Sequence, residues 1–145
     1  MKKLLFVLTF ILTSSLFGQS DYKGTIITHY FGAEHMNWSN LDDKWIFTPN
    51  VERARRSCNW KIELNEDRSG DIIMEDLVDG QKYYMTVYDY KLDKIGTNDG
   101  IVCEVIQKFD GQKCTIMIQK GEAGQMIGVF MPESNLYLIY DNMRF

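Results

Sequence analysis

Residues 101–119, IVCEVIQKFDGQKCTIMIQ, give the clearest indication of the fold, because two runs of alternating residues flank a strong turn signal. Asp110-Gly111 favours a β-hairpin, since a two-residue type I′ turn needs positive φ at both of its positions. With these two residues as the turn, Cys103 faces Ile118 across the hairpin. Apolar side chains then share one face, and mostly polar side chains share the other. Turn chemistry and hydrophobic pattern therefore predict the same antiparallel pairing.

Runs of the same kind cover most of the chain. A second pair, Asp79-Gly80, predicts another two-residue hairpin, in which Met74 faces Met85. Alternating runs bounded by turn residues are typical of strands. The nine predicted strands are Lys23–Phe31, Lys44–Thr48, Cys58–Leu64, Asp71–Leu77, Lys82–Tyr90, Ile101–Lys108, Lys113–Gln119, Gln125–Met131 and Leu136–Tyr140.

Consecutive antiparallel strands leave two exposed sheet edges unless the sheet closes on itself. Closure into an up-and-down barrel is the economical solution. We therefore predict an all-β fold, an antiparallel up-and-down meander of about eight or nine strands closed as a small barrel. An open twisted sheet or a two-layer sandwich is the alternative. A barrel of this strand number either has a filled interior or holds one small ligand.

A few segments depart from the strand pattern. In one of them, Thr48 as N-cap and Pro49 at the first position suit a short helix reaching Arg56, with an extended loop as the alternative. The polar run Asn65–Gly70 predicts a hairpin loop in which Gly70 supplies positive φ. The segments that the pattern leaves free of strand are Ala33–Asn40, Pro49–Ser57 and Lys91–Gly100.

The N-terminus has the three parts of a Sec-type signal peptide. Lys2 and Lys3 form a charged region, Leu4–Leu12 is apolar, and small polar residues follow. The apolar run is too short for a stable membrane span, so we expect no stable membrane anchor after cleavage. The predicted organisation is a signal peptide over residues 1–18 and a single domain over residues 19–145. We expect the protein to be exported, either to the periplasm or outside the cell.

Composition and charge limit the classes of function. The chain is 45% hydrophobic and 25% charged, which is usual for a globular domain. Its net charge of −4 becomes −6 without the two lysines of the signal peptide, so we expect no nucleic-acid partner. Two histidines fit no closed metal site and offer little for acid–base catalysis. We therefore expect a protein that is not an enzyme and uses no metal or cofactor. Its three cysteines are expected to be buried free thiols, with a disulfide between Cys58 and one of the other two as the alternative.

Two sets of residues are candidates for binding. Inward-facing strand residues could line a site for a lipophilic ligand, namely Trp60, Ile62, Met74, Met85, Val87 and Ile116. A basic cluster could hold a carboxylate, a phosphate or an acidic protein partner, namely Arg53, Arg55 and Arg56. The first set predicts a barrel that binds a small apolar or amphipathic ligand. The alternative is an interaction or inhibitor module with a filled core.

Two stretches resemble known proteins. The sequence Ser-Leu-Phe-Gly before Gln19 resembles the end of export signals in Bacteroidetes. Residues Trp60–Gly70, WKIELNEDRSG, resemble the first clear hairpin of small lipocalin-like (calycin) domains, in which a tryptophan-bearing strand leads into an Asp/Gly turn. The Gly-x-Trp pattern of lipocalins is absent, so no functional residue is transferred. The resemblance implies a small barrel, in a family whose members commonly bind hydrophobic ligands.

Overall fold

The computed structural model describes residues 22–46, 51–95, 98–121 and 124–142. The predicted signal peptide lies outside these ranges. The strands are β1 Tyr22–His35, β2 Asn37–Ser39, β3 Lys44–Ile46, β4 Ala54–Leu64, β5 Gly70–Asp76, β6 Lys82–Ile95, β7 Asn98–Gln107, β8 Lys113–Gly121, β9 Gly124–Met131 and β10 Leu136–Asp141. A short 3₁₀ turn at Pro132–Ser134 connects the last two strands. Within the described ranges, no helix is long and apolar enough to cross a membrane.

Eight of the strands form a closed antiparallel barrel in the order β1-β10-β9-β8-β7-β6-β5-β4. Strand β1 closes the barrel, because it pairs with β4 on one side and with β10 on the other. Closure leaves the barrel sheet without a free edge. Strands β2 and β3 form a separate hairpin between β1 and β4. The predicted all-β up-and-down meander is confirmed, and the open-sheet and sandwich alternatives are wrong.

The β7–β8 hairpin has a longer turn than the two-residue turn that the sequence predicts. Cys103 pairs with Ile116, and the predicted partner Ile118 lies two residues away. The turn contains four residues, and within it φ is positive at Gly111 (71°) but not at Asp110. Asp110 instead accepts a hydrogen bond of 2.9 Å from the backbone N–H two residues later. This Asx turn explains why an aspartate precedes the glycine, although the turn is not of type I′.

The β5–β6 hairpin repeats this geometry. Met85 pairs with Ile72, whereas its predicted partner is Met74. Gly80 has φ of 74°, and Asp79 accepts a hydrogen bond of 2.8 Å from the N–H two residues later. Both predicted registers are therefore wrong by two residues. Because side chains alternate with a period of two, the predicted inward faces remain correct.

Two local predictions are wrong. Ala54–Arg56 begins β4 and is not helical, while Thr48–Asn50 lies outside the described residues. In the β4–β5 loop the positive φ belongs to Arg68 (69°) and not to Gly70. Gly70 begins β5, where a Cβ atom would lie 2.1 Å from the carbonyl oxygen of Glu63. Glycine is needed there because two strands approach closely.

Strands also extend into segments that the sequence pattern leaves free. Strand β1 continues to His35, and the β6–β7 hairpin reaches Ile95 and Asn98. Its outer part carries exposed charged side chains, including an ion pair of 2.6 Å between Lys94 and Asp99. Charged residues on both faces hide the alternation by which a strand is predicted.

One end of the barrel, which we call the closed end, has a filled interior. It carries the β4–β5 turn, the last residues of β6 and the first residues of β7. The Tyr90 hydroxyl donates a hydrogen bond of 2.7 Å to the Asn65 carbonyl oxygen there, and Arg68 pairs with Asp89 at 2.7 Å. Branched apolar side chains with at most 1% exposure fill this end, namely Ile26, Ile62, Ile72, Val87, Val105, Ile116 and Ile127. These side chains belong to the main apolar cluster of the barrel.

A second apolar cluster lies on the outer surface, where the segment between β1 and β4 crosses the barrel. Met36 and Val51 pack with Tyr137 of β10. In the same segment, Arg53 Nε donates a hydrogen bond of 3.0 Å to the Asp141 carboxylate, and both side chains are at most 4% exposed. This buried ion pair connects the crossing segment to β10, the strand that pairs with β1 where the barrel closes.

Candidate functional site

The opposite end of the barrel, which we call the open end, contains a cavity of about 300 Å³ that opens to solvent. It lies beneath the β5–β6, β7–β8 and β9–β10 turns. Its volume is at the lower limit of known ligand pockets, which span about 300–1,000 Å³. The cavity is lined by Phe31, Arg56, Cys58, Trp60, Met74, Asp76, Tyr83, Tyr84, Met85, Gln107, Phe109, Val129, Met131, Leu138 and Tyr140.

Aromatic rings form much of the cavity wall. Trp60 and Tyr140 meet edge to face, with ring centroids 4.8 Å apart, and Phe31 lies 4.9 Å from Tyr140. The Trp60 indole N–H donates a hydrogen bond of 3.3 Å to the hydroxyl of Thr28, which is fully buried. Because this bond satisfies the polar atom of the indole, the tryptophan acts as an apolar surface toward the cavity.

Three methionines contribute flexible apolar surface to the same wall, namely Met74, Met85 and Met131. Methionine is unbranched and polarisable, so its side chain adapts to ligands of different shape. The combination of rigid rings and adaptable thioethers favours an apolar ligand body without requiring one fixed outline.

An ion pair lies in the wall of the cavity. Arg56 binds the carboxylate of Asp76, whose side chain is 4% exposed, and also lies 3.4 Å from Asp79. The backbone N–H of Val78 donates a hydrogen bond of 2.8 Å to Asp76. Burial raises the pKa of Asp76, but the hydrogen bonds from Val78 and Arg56 and the guanidinium charge outweigh it, so this pKa is lowered. The Arg56 charge is thus compensated within the protein.

Asp76→Asn is expected to destabilise the barrel at neutral pH, with an effect that shrinks in acid. Because the folded-state pKa of Asp76 is lowered, its stabilisation is complete above the unfolded pKa of about 4. It is lost as the pH falls through the folded-state pKa. Urea unfolding of both proteins at about pH 7, 5 and 3 measures the difference. Asp79→Asn, at an exposed partner of Arg56, is the control. A difference that grows toward pH 3 would contradict this assignment.

Gln107 brings a polar side chain to the wall at the end of β7. Its side-chain nitrogen donates a hydrogen bond of 3.3 Å to the Cys114 sulfur. Its Oε1 is buried and has no hydrogen-bond partner. A buried acceptor without a donor costs about 1–3 kcal/mol, so such an atom calls for an explanation.

The three cysteines are buried, and Cys58 is the one that lines the cavity. Burial raises the pKa of Cys58, the thiol in the wall, to about 11. Burial likewise raises the pKa of Cys114 to about 11 and that of Cys103 to about 12. All three cysteines are buried free thiols, as expected. His29 is exposed, with its Nδ1 3.1 Å from the Ser57 hydroxyl. Within the described residues, no group of three metal-ligating side chains could hold a metal ion.

The structure divides the six predicted ligand residues into two sets. Three line the cavity, namely Trp60, Met74 and Met85. The other three pack in the closed end, namely Ile62, Val87 and Ile116. Alternation predicts which face of a strand is buried, but it does not predict depth along the barrel axis. The prediction therefore mixed cavity residues with core residues.

The predicted basic cluster does not form one surface. Arg53 is buried against Asp141, and Arg56 faces the cavity and pairs with Asp76. Arg55 is exposed on the outer face of β4. Arg55 and Arg56 are neighbours on β4 and point to opposite faces, whereas Arg53 precedes the strand and is buried, so the three side chains do not meet.

Two polar residues of the cavity wall were not predicted as site residues. Asp76 follows Met74 on the inward face of β5, and Gln107 follows Val105 on the inward face of β7. Each continues an apolar inward series with a polar side chain at the open end. That break in the inward pattern is the sequence signal that could have found them.

Comparisons with known proteins do not assign a family. No family model, no curated protein and no solved structure matches the chain. The eight-stranded antiparallel barrel is compatible with the lipocalin-like resemblance of the sequence. The cavity and its side chains are therefore the features that point to a function.

Proposed function

We propose that the protein is an exported, non-enzymatic β-barrel that binds one small, mostly apolar molecule in the cavity at the open end. The cavity itself carries this proposal, because it is open, has a volume of about 300 Å³, and is walled mainly by aromatic rings and methionines. Ligand sites are typically apolar concavities with a few placed polar groups. Here the polar groups are Gln107 and the pair of Arg56 with Asp76.

The side chains around the cavity suit binding better than catalysis. The Cys58 thiol, with its pKa raised to about 11, is protonated at neutral pH and is a poor nucleophile. The Asp76 carboxylate is engaged by Arg56 and by backbone N–H groups, so it is a weak base. Neither His29 nor His35 belongs to the residues that line the cavity.

Two different observations support export and disfavour a protein-interaction module. The proposal of export, to the periplasm or outside the cell, depends on the charged and apolar pattern of residues 1–18. An interaction or inhibitor module with a filled core has less support, because the open end contains a cavity. The arginines Arg53 and Arg56 are also already paired with aspartates of this chain.

Titration with the neutral fluorophore N-phenyl-1-naphthylamine tests the proposal, because its fluorescence increases when it leaves water. We expect saturable 1:1 binding with a Kd of roughly 10 μM, given its size. Met74→Trp adds volume inside the cavity and is expected to weaken binding about tenfold or more.

Ile73→Trp is the matched control, because Ile73 is the preceding residue of β5 and belongs to the outer face. It should bind the fluorophore like the unaltered protein. Circular dichroism checks that both variants fold. Equal weakening by both variants, or a complete lack of saturable binding, would refute the cavity as the binding site.

A further inference from the structure

The buried oxygen of Gln107 restricts the chemistry of the ligand. The residue lines the cavity, is 8% exposed, and its Oε1 has no hydrogen-bond partner. Buried acceptors in native proteins are nearly always paired with a donor from protein, water or ligand. The terminal torsion of a glutamine is soft, so this oxygen can turn toward the cavity with little strain. Turning the amide gives up only the hydrogen bond that Gln107 Nε2 donates to the Cys114 sulfur, which is a weak acceptor.

The ionic groups of the wall favour a neutral ligand. Arg56 faces two carboxylates, those of Asp76 and Asp79, so this group of three is not an electropositive site. An anionic ligand would compete with these carboxylates. A cationic ligand would lose its hydration against an apolar wall, which is costly without a buried partner. The wall therefore selects against a net charge of either sign.

We propose, on the basis of the function proposed above, that the ligand is a neutral molecule with an apolar body and one hydrogen-bond donor. The donor is a hydroxyl or N–H group, and Gln107 Oε1 accepts its hydrogen bond. Trp60 and Tyr140 contact the apolar body. Alcohols, phenols, secondary aryl amines and secondary amides of modest size have this chemistry.

A matched pair of probes, 2-naphthol and 2-methoxynaphthalene, separates the donor from the apolar body. The ether is the more hydrophobic of the two, so an apolar cavity without an acceptor would favour it. We expect the protein to bind 2-naphthol about tenfold more tightly, because one added hydrogen bond is worth about that factor. Isothermal titration calorimetry measures both affinities.

Gln107→Met removes the acceptor at similar length and should abolish or reverse this preference while both probes still bind. Gln81→Met is the control, since Gln81 is exposed beside the β5–β6 turn, and it should keep the preference. If Gln107→Met fails to fold, Gln107→Leu makes the same test.

Each result has a distinct meaning. A tenfold preference for 2-naphthol that is lost only in Gln107→Met supports the inference. Equal affinity of the unaltered protein for both probes overturns the inference and leaves the proposed function standing. Binding of neither probe overturns both. A preference that persists in Gln107→Met also overturns the inference, because another group would then accept the hydrogen bond.

Discussion

Replacing Trp60 by alanine is expected to lower the free energy of unfolding by about 4 kcal/mol. Trp60 is 1% exposed, meets Tyr140 edge to face, and donates its indole hydrogen bond to Thr28. The alanine removes the whole ring from the barrel interior and takes the donor away from a buried hydroxyl. Since small domains are stable by about 5–15 kcal/mol, this loss is a large part of the total.

Urea denaturation followed by circular dichroism measures the effect. Trp38→Ala is the control, because Trp38 belongs to the separate β2–β3 hairpin and is 45% exposed. Trp38→Ala should lower the free energy of unfolding by less than about 1 kcal/mol. If the two variants lost similar amounts of stability, the result would contradict the packing of Trp60 inside the barrel.

Removing one member of the buried ion pair is expected to be nearly as damaging. Asp141→Asn should lower the free energy of unfolding by about 3–5 kcal/mol, because the buried Arg53 guanidinium loses its carboxylate. The pair connects the segment before β4 to β10, and β10 completes the barrel by pairing with β1. The variant is therefore expected to weaken the closure of the barrel.

The double variant Arg53→Met with Asp141→Leu distinguishes charge from packing. Replacing both charges by apolar side chains should return the stability to within about 1 kcal/mol of the unaltered protein, since neither side chain then needs an ionic partner. Urea denaturation gives both values. A double variant as unstable as Asp141→Asn would show that the bond geometry, and not the unpaired charge, is responsible.

The sequence predicts the faces of the strands well and their registers poorly. In β4 the alternation correctly assigns Cys58, Trp60, Ile62 and Leu64 to the interior. The hairpin registers fail because an Asp-Gly pair suits both a two-residue turn and the last two positions of a four-residue turn. The second arrangement needs positive φ only at the glycine, and local sequence does not distinguish the two.

The candidate site is predicted less completely than the fold. Trp60 and Ile62 share one face of β4, yet the first lines the cavity and the second fills the closed end. Which end contains the cavity depends on how side chains from all eight strands fill the interior together. A short-range pattern carries no information about that sum. The sequence predicts Trp60, Met74 and Met85 of the cavity wall. The polar breaks at Asp76 and Gln107 are a further signal that it contains.

A crystal structure determined with N-phenyl-1-naphthylamine would show whether the ligand occupies the open end. We predict a closed eight-stranded barrel with the naphthyl ring in the open end, in contact with Trp60, Met74 and Tyr140. An open end filled by side chains, or a fluorophore bound only to the outer surface, would contradict the proposed binding site.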